Sequence, residues 1–169
     1  MTKTQKIIIV VLVGLALTVS LEATVDKPRG IRNNNPGNLR PLDSGNWDGQ
    51  SGVDSGNYIT FSTSAWGLRA LAHNLYSYGA NDGINTLSAT ANRWAPASEN
   101  DPNAYAATLS SVSGLGVSDT IDLTDKATNL AVMRGIVQAE NGEEMPGVPW
   151  FSDAELSQAQ GLGTLPEGW

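Results

Sequence analysis

A regular recurrence of apolar residues through most of the chain limits its fold to a mainly α-helical class. From Ser64 onward, these residues recur at spacings of three and four, which places them on one face of a helix. Four or five helices are expected. Two span about 65–78 and 86–94, and a third starts at Asp101-Pro102 and is ended by Gly114 and Gly116. A longer one runs from Thr124 or Asp122 through Glu140, and a short one follows Ser152 and ends near Gly161. The inward face of the first consists of Leu68, Leu71, Ala72, Leu75 and Tyr78.

The predicted helices carry capping residues at their ends. Asp101-Pro102 places an acidic cap before a proline in the first turn. Asn141-Gly142 is a stop signal, and Ser152 and Glu155 have the spacing of a capping box. The other candidate caps are Ser64 for the first helix and Thr124 or Asp122 for the fourth.

Residues 28–62, which precede these helices, are rich in turn-forming residues. Within them, residues 57–61 (Asn-Tyr-Ile-Thr-Phe) are the best strand candidate, and a small hairpin with the region near Trp47 is expected. The predicted fold is therefore one mainly α (α+β) domain over residues 28–169, with four to five helices and a small β element.

The first 24 residues form a separate segment. Lys3 and Lys6 precede an uncharged apolar run, Ile7 to Leu21, which is long enough for a hydrophobic helix of roughly 22 Å. This pattern predicts either a retained signal-anchor or a removed signal peptide; Leu21 stands where cleavage prefers a small residue. In both cases the positive residues stay inside, so the domain is expected on the periplasmic side, anchored to the inner membrane through residues 7–21 or exported.

Composition excludes several kinds of chemistry. The chain has no Cys and one histidine, His73, so it offers neither a thiol nucleophile nor the ligand set of a zinc amidase. His73 falls off the apolar face of its predicted helix and is expected at the surface. The net charge of −7 argues against a nucleic-acid partner. No metal or other cofactor is expected.

The run Arg29-Gly30-Ile31-Arg32-Asn33-Asn34-Asn35-Pro36-Gly37-Asn38-Leu39-Arg40 is the most distinctive stretch of the chain; we call it the Asn-rich segment. Its Asn, Gly and Pro residues favour turns, so no helix is expected there. Its amides and guanidinium groups suit a ligand rich in hydroxyl and carbonyl groups, such as a sugar chain. The predicted saccharide contacts are Arg32, Asn33, Asn35 and Asn38, with Trp47 as an exposed stacking platform.

Together with downstream pieces, the Asn-rich segment resembles the lysozyme-like lytic enzymes with which bacteriophages and prophages cut peptidoglycan. The resemblance extends from Pro28 to about Leu156, and its separate pieces follow one another in the order found in that family. After the Asn-rich segment, the matching pieces are Trp47-Asp48-Gly49, Phe61, Gly67-Leu68-Arg69-Ala70-Leu71, Asn85-Thr86, Arg93-Trp94-Ala95-Pro96, Glu99-Asn100-Asp101, Tyr105 and Ala139-Glu140-Asn141-Gly142.

The resemblance implies a lysozyme-like fold and muramidase or lytic transglycosylase activity on peptidoglycan glycan strands. Members of that family are often virion components that act at entry, or lysis proteins that act at exit. The implied locations therefore include the virion or its membrane, with other virion proteins as partners.

Cleavage of a glycosidic bond needs a carboxylic acid that donates a proton to the leaving oxygen. Glu140 is the best candidate, because it lies four residues after Ile136 and three after Val137 and so continues the apolar face of its helix. It is also in the last turn, where the helix dipole disfavours an anion. Both effects favour the protonated carboxyl. The alternative is a frayed helix end with Glu140 in water.

Glu99 is the competing acid, in the connector that follows Trp94. Its position near a helix N-terminus favours the anion, which suits a substrate contact better than a proton donor. Related enzymes carry the catalytic Glu early, whereas no Glu lies between Glu22 and Glu99 here. If Glu140-Asn141-Gly142 corresponds to the Glu-Ser-Gly of related glucosaminidases and transglycosylases, the acid helix comes last and the fold is permuted.

The leading hypothesis is therefore an enzyme, a peptidoglycan glycosidase, with a lytic transglycosylase preferred over a muramidase because one carboxylate stands out. The alternative is a non-catalytic virion structural or cell-wall-binding protein with the same fold. A peptidoglycan endopeptidase is disfavoured by the missing Cys and the single His.

Overall fold

The computed structural model describes residues 27–98 and 101–163. These residues form six helices and a two-stranded antiparallel sheet. In chain order the elements are α1 Arg29–Arg32, β1 Gln50–Val53, β2 Ile59–Phe61, α2 Ser64–Ala80, α3 Leu87–Trp94, α4 Pro102–Ser113, α5 Lys126–Asn141 and α6 Asp153–Gln160. The prediction of a mainly helical fold with a small β element is confirmed.

Two predictions fall outside these residues. They are the apolar segment within residues 1–24 and the candidate acid Glu99. Within the described ranges, every helix is too short or too polar to cross a lipid bilayer.

The predicted caps explain where several helices begin and end. The Asp101 carboxylate accepts hydrogen bonds from the N–H groups of Asn103 and Ala104, and α4 ends at Gly114 in the left-handed region, with φ 76°. The capping box between Ser152 and Glu155 is present at the start of α6. These boundaries follow from local sequence because the bonds join residues two or three positions apart.

Three local predictions were wrong. The Asn-rich segment opens with one helical turn, α1, because the N–H groups of Ile31 and Arg32 reach the carbonyl of Pro28. The α2 helix is preceded by Thr63 as its N-cap, and α5 by Asp125. The predicted cap of α5, Asp122, instead accepts hydrogen bonds from Thr124 in the preceding turn.

The main core lies between α2, α3, α4, α5 and α6. The predicted inward face of α2 is buried as expected. Helices α4 and α5 come close at Gly135, where an added Cβ would lie 2.9 Å from Leu109 Cδ2. A buried amide pair joins three helices: Asn129 donates to the carbonyl of Ala72 on α2, and Gln160 on α6 donates to Asn129.

A second, smaller core fixes the Asn-rich segment against β2 and α2. It consists of Leu39, Ile59, Phe61 and Ala70, with Trp47, Trp66 and Trp94 packed against it. At Gly67 a Cβ would lie 1.9 Å from the carbonyl oxygen of Asn34, so the backbone of α2 touches the Asn-rich segment directly.

His73 was predicted at the surface, and the structure corrects this. The side chain is half-buried, and its Nε2 atom is inaccessible to solvent. Burial, with the positive charge of Arg69, lowers the pKa of His73 to about 4, although the carboxylate of Asp48 opposes the shift. Periodicity along α2 could not show Asp48, which lies in the preceding loop, pairs with Arg69 at 3.0 Å and has a charge that acts on His73.

Candidate active site

Asn35 organises the Asn-rich segment from within. Its side chain is fully buried, donates to the carbonyls of Leu39 and Ile59, and accepts from the N–H of Leu39, all at 2.9 Å. Asn34 and Asn38 on either side adopt the left-handed conformation, with φ 53° and 49°. Asn tolerates this region better than most residues, which explains Asn at positions 34 and 38. Asn35 therefore shapes the segment and is enclosed within it.

Glu140 lies where the end of α5 meets this segment. The α5 helix continues through Asn141, so Glu140 is held within a helical turn, and its side chain is half-buried. Glu140 Oε2 accepts a hydrogen bond of 2.8 Å from Asn38 Nδ2. Its Oε1 atom accepts another of 2.8 Å from the Tyr105 hydroxyl on α4. Both oxygens thus have a fixed position.

Tyr105 is suited to be a permanent donor to this carboxyl group. Burial, followed by the charge of Glu140 and the hydrogen bond to it, raises the pKa of Tyr105 well above its ordinary range. The phenol therefore keeps its proton at any pH at which the protein works. The sequence shows that Tyr105 lies one turn before Leu109 and faces inward. It does not show that its partner is Glu140 on α5.

The residue after Glu140 fastens the Asn-rich segment to the same helix end. Asn141 is buried, and its amide donates 2.7 Å to the carbonyl of Pro36 and 2.9 Å to that of Val137. Gly30 makes room for it, since a Cβ there would lie 2.3 Å from Asn141 Oδ1. Glu140 and Asn141, which are adjacent on α5, therefore bind the Asn-rich segment at Asn38 and at Pro36.

A cleft of about 420 Å³ opens beside Asn38. Its lining residues come from the Asn-rich segment, the loop after it, α2 and the end of α3: Gly37, Asn38, Leu39, Arg40, Pro41, Leu42, Trp47, Asn74, Tyr78, Arg93, Trp94 and Pro96. Tyr78 and Trp94 meet edge to face, with ring centroids 5.9 Å apart. Glu140 does not line this cleft itself, but Asn38, which does, binds its carboxyl group.

The structure places the other predicted saccharide contacts differently. Trp47 lines the cleft but is half-buried, because it packs against the smaller core. Arg32 is exposed and donates to the carbonyl of Lys27. Asn33 donates 2.8 Å to Asp54 Oδ2. Neither Arg32 nor Asn33 lines the cleft.

Asp54 supports the segment from the hairpin side. Its carboxylate also accepts the N–H groups of Gly56 and Tyr58 and lies 3.6 Å from Arg29 Nε. The hydrogen bond from Asn33 is the first cause that lowers the pKa of Asp54, followed by the bond from Tyr58. The Asp54 carboxylate thus connects the β1–β2 turn to the end of α1.

Within the described ranges, no three His, Asp or Glu side chains lie close enough together to hold a metal ion.

The chain belongs to a family of bacteriophage proteins. It is 31% identical over 117 residues to Protein P5 of Pseudoalteromonas phage PM2, a match that covers 68% of this chain and 71% of the relative. No protein-family model matches the chain.

Proposed function

We propose that the protein is a peptidoglycan-cleaving glycosidase of lysozyme-like type, with Glu140 as its acid and base. The observation that carries this proposal is the half-buried carboxyl of Glu140, held at both oxygens by Asn38 and Tyr105 beside the cleft. A glycan chain in the cleft would pass along the Asn-rich segment, with Trp47 and Trp94 available to stack on sugar rings.

In the proposed reaction, the protonated Glu140 gives its proton to the glycosidic oxygen as the bond from that oxygen to C1 of the muramyl sugar breaks. The resulting carboxylate then takes the proton of the sugar's own C6 hydroxyl as that oxygen bonds to C1. Glu140 is protonated again, and no water is consumed. The products are a free 4-hydroxyl and a 1,6-anhydro end, as in a lytic transglycosylase.

A second carboxylate would favour hydrolysis, because it could activate water or form a covalent intermediate. Glu140 does not itself line the cleft and is connected to it through Asn38. We prefer the transglycosylase over the muramidase because its reaction needs this single carboxyl group.

The phage relative favours use of this activity during infection. We propose that the protein is a virion or lysis component that faces the cell wall, held to a membrane by residues 7–21.

A zymogram with embedded peptidoglycan tests the proposal. The protein should produce a band of clearing, and Glu140→Gln should reduce it by about 10²–10⁴-fold, as expected for loss of a general acid. Mass spectrometry of the fragments should show anhydro ends; reducing ends would indicate hydrolysis. If the parent protein produces no clearing, or the Glu140→Gln protein clears at the parent rate, the proposal is wrong. No clearing would favour a wall-binding or structural role.

A further inference from the structure

Two buried amide oxygens face the same small space beside Gly30. Asn38 Oδ1 and Asn141 Oδ1 are both inaccessible to solvent, and neither has a hydrogen-bond partner among the residues that the structure describes. Measured from the position that a Cβ would take on Gly30, they lie 3.1 and 2.3 Å away. Two oxygens that only accept cannot bond to each other, and a buried acceptor without a donor is unfavourable.

Asn141 cannot relieve this contact by turning its own amide. Its Nδ2 donates to the carbonyl oxygens of Pro36 and Val137. A half turn about the last bond of the side chain would place Oδ1 against those two acceptors, and both hydrogen bonds would be lost. Asn141 Oδ1 is thus held as an acceptor that faces Gly30.

Asn38 can turn its amide, and the result depends on whether Glu140 carries a proton. As it stands, Asn38 Nδ2 donates to Glu140 Oε2, which suits the carboxylate form. A half turn exchanges the oxygen and the nitrogen of an amide and leaves its shape nearly the same. In the turned orientation, Oδ1 accepts from a protonated Glu140, and Nδ2 points into the space that Asn141 Oδ1 faces. A buried oxygen that now has no donor then gains one.

We infer that Asn38 is a positioning residue whose amide changes orientation with the protonation state of Glu140. This inference rests on the proposed function and adds how one side chain supports both halves of the reaction. Before cleavage, Asn38 Oδ1 accepts the O–H group of the acid. Once that proton has passed to the glycosidic oxygen, the amide turns and Nδ2 donates to the new carboxylate. Tyr105 donates to Oε1 in both states.

Nuclear magnetic resonance of the full chain in detergent micelles measures the orientation of the Asn38 amide. In the turned orientation the Nδ2 protons face Gly30, and in the other they face Glu140. A nuclear Overhauser cross-peak from these protons to the Gly30 α protons therefore reports the turned form. The carboxyl carbon of Glu140, labelled with carbon-13, reports its proton. The cross-peak should be strong where Glu140 is protonated and weak where it is ionised.

Glu140→Gln should keep the Asn38 amide in the turned orientation at every pH. The new side chain presents its carbonyl oxygen to the Tyr105 hydroxyl and its NH2 group to Asn38, which must then accept. This variant imitates the protonated acid and carries no proton that titrates, so its cross-peak should stay strong throughout the pH series.

Asn33 is the matched control within the same spectra. It belongs to the same segment and also donates to a carboxylate, Asp54 Oδ2, at 2.8 Å. That hydrogen bond is the first cause that lowers the pKa of Asp54, so this carboxyl group keeps its charge to lower pH than an ordinary one. The cross-peaks of the Asn33 amide should not change where those of Asn38 do.

Asn38→Asp connects the orientation of the amide to the rate of cleavage. Asp has the size of Asn and also tolerates the left-handed backbone at this position, but its carboxylate has no N–H to donate. A role that needs only the shape of the side chain would survive this change. The inferred role would not, so kcat for strand cleavage should fall about tenfold or more.

A cross-peak of equal strength on both sides of the Glu140 titration would overturn the inference, as would an Asn38→Asp protein that cleaves at the parent rate. In either case, a cleared zymogram band that depends on Glu140 would leave the proposed function standing. A parent protein that clears no peptidoglycan would contradict the proposed function, and with it the role of Asn38 in the reaction, even where the amide turns.

Discussion

Asn38 and Glu140 are separated by 102 positions in the chain, yet their side chains share a hydrogen bond of 2.8 Å. Asn141 and Pro36 repeat this connection beside it, at 2.7 Å. The Asn-rich segment and the end of α5 are thus one structural unit.

Tyr105→Phe should lower the rate of glycan cleavage about tenfold or more while leaving binding of the strands nearly unchanged. The variant removes the donor that fixes Glu140 Oε1 and that stabilises the carboxylate formed once Glu140 has given up its proton. A hydrogen bond to such a charged group contributes roughly 1.5–3 kcal/mol. The measurement is the release of soluble fragments at several substrate concentrations, which separates kcat from KM. Ser111→Ala, an exposed change on the same helix, is the control; an equal loss there would contradict the positioning role.

Asn35→Ala should destabilise the protein on the order of 3 kcal/mol, because it removes three buried hydrogen bonds to the backbone of Leu39 and Ile59, including the one that the N–H of Leu39 donates. Urea unfolding followed by circular dichroism measures the change. Asn46→Ala removes the same side chain from an exposed loop position and should cost little. Equal unfolding midpoints for the two variants would show that Asn35 does not hold the segment.

Gly67→Ala should destabilise the fold by about 1–3 kcal/mol, because the new methyl group meets a backbone carbonyl that cannot move without the whole Asn-rich segment. Gly161→Ala is the matched control: its nearest contact would be 3.6 Å, an ordinary van der Waals distance. Thermal unfolding of both variants checks this. A Gly67→Ala protein as stable as Gly161→Ala would mean that the close approach is not needed.

His73 should make the protein less stable as the pH falls from about 6.5 to about 4. Its pKa is about 4 in the folded protein and 6.5 when unperturbed, so within this window the unfolded chain binds a proton that the folded chain does not. The stabilisation is complete above pH 6.5 and declines below it, by on the order of 1–3 kcal/mol after allowance for solvent at a half-buried site.

Urea titrations at pH 7 and pH 5 measure this decline, and His73→Gln should make the two unfolding free energies more nearly equal. If the His73→Gln protein loses as much stability between these pH values as the parent does, another group is responsible.

Local signals predicted much of the fold. The caps at Asp101 and Ser152 and the stop after Asn141 act through bonds between near neighbours, so the sequence specifies them directly. The inward phase of Glu140 also followed from spacing to Ile136 and Val137. The spacing of apolar residues could not show which side chain from another element each residue contacts.

The Asn-rich segment illustrates that limit. All its Asn residues look alike as amides, and saccharide contacts were predicted at Asn33, Asn35 and Asn38. The structure distributes them over different tasks: Asn35 bonds to backbone within the segment, Asn33 to Asp54, and Asn38 to Glu140. Only tertiary contacts separate these tasks. For the same reason, Tyr105 was recognised as a matching residue before its role was visible.

The two bonds between the Asn-rich segment and the end of α5 also set an order of assembly. During synthesis, residues 29–40 leave the ribosome long before Glu140 and Asn141 are joined to the chain. Until then the Asn-rich segment has neither its carboxyl group nor the amide that fastens Pro36. A chain interrupted between Pro96 and Glu140 would therefore contain every residue that lines the cleft and would lack the carboxyl group proposed as its acid. The proposed activity would then arise only once nearly the whole domain exists.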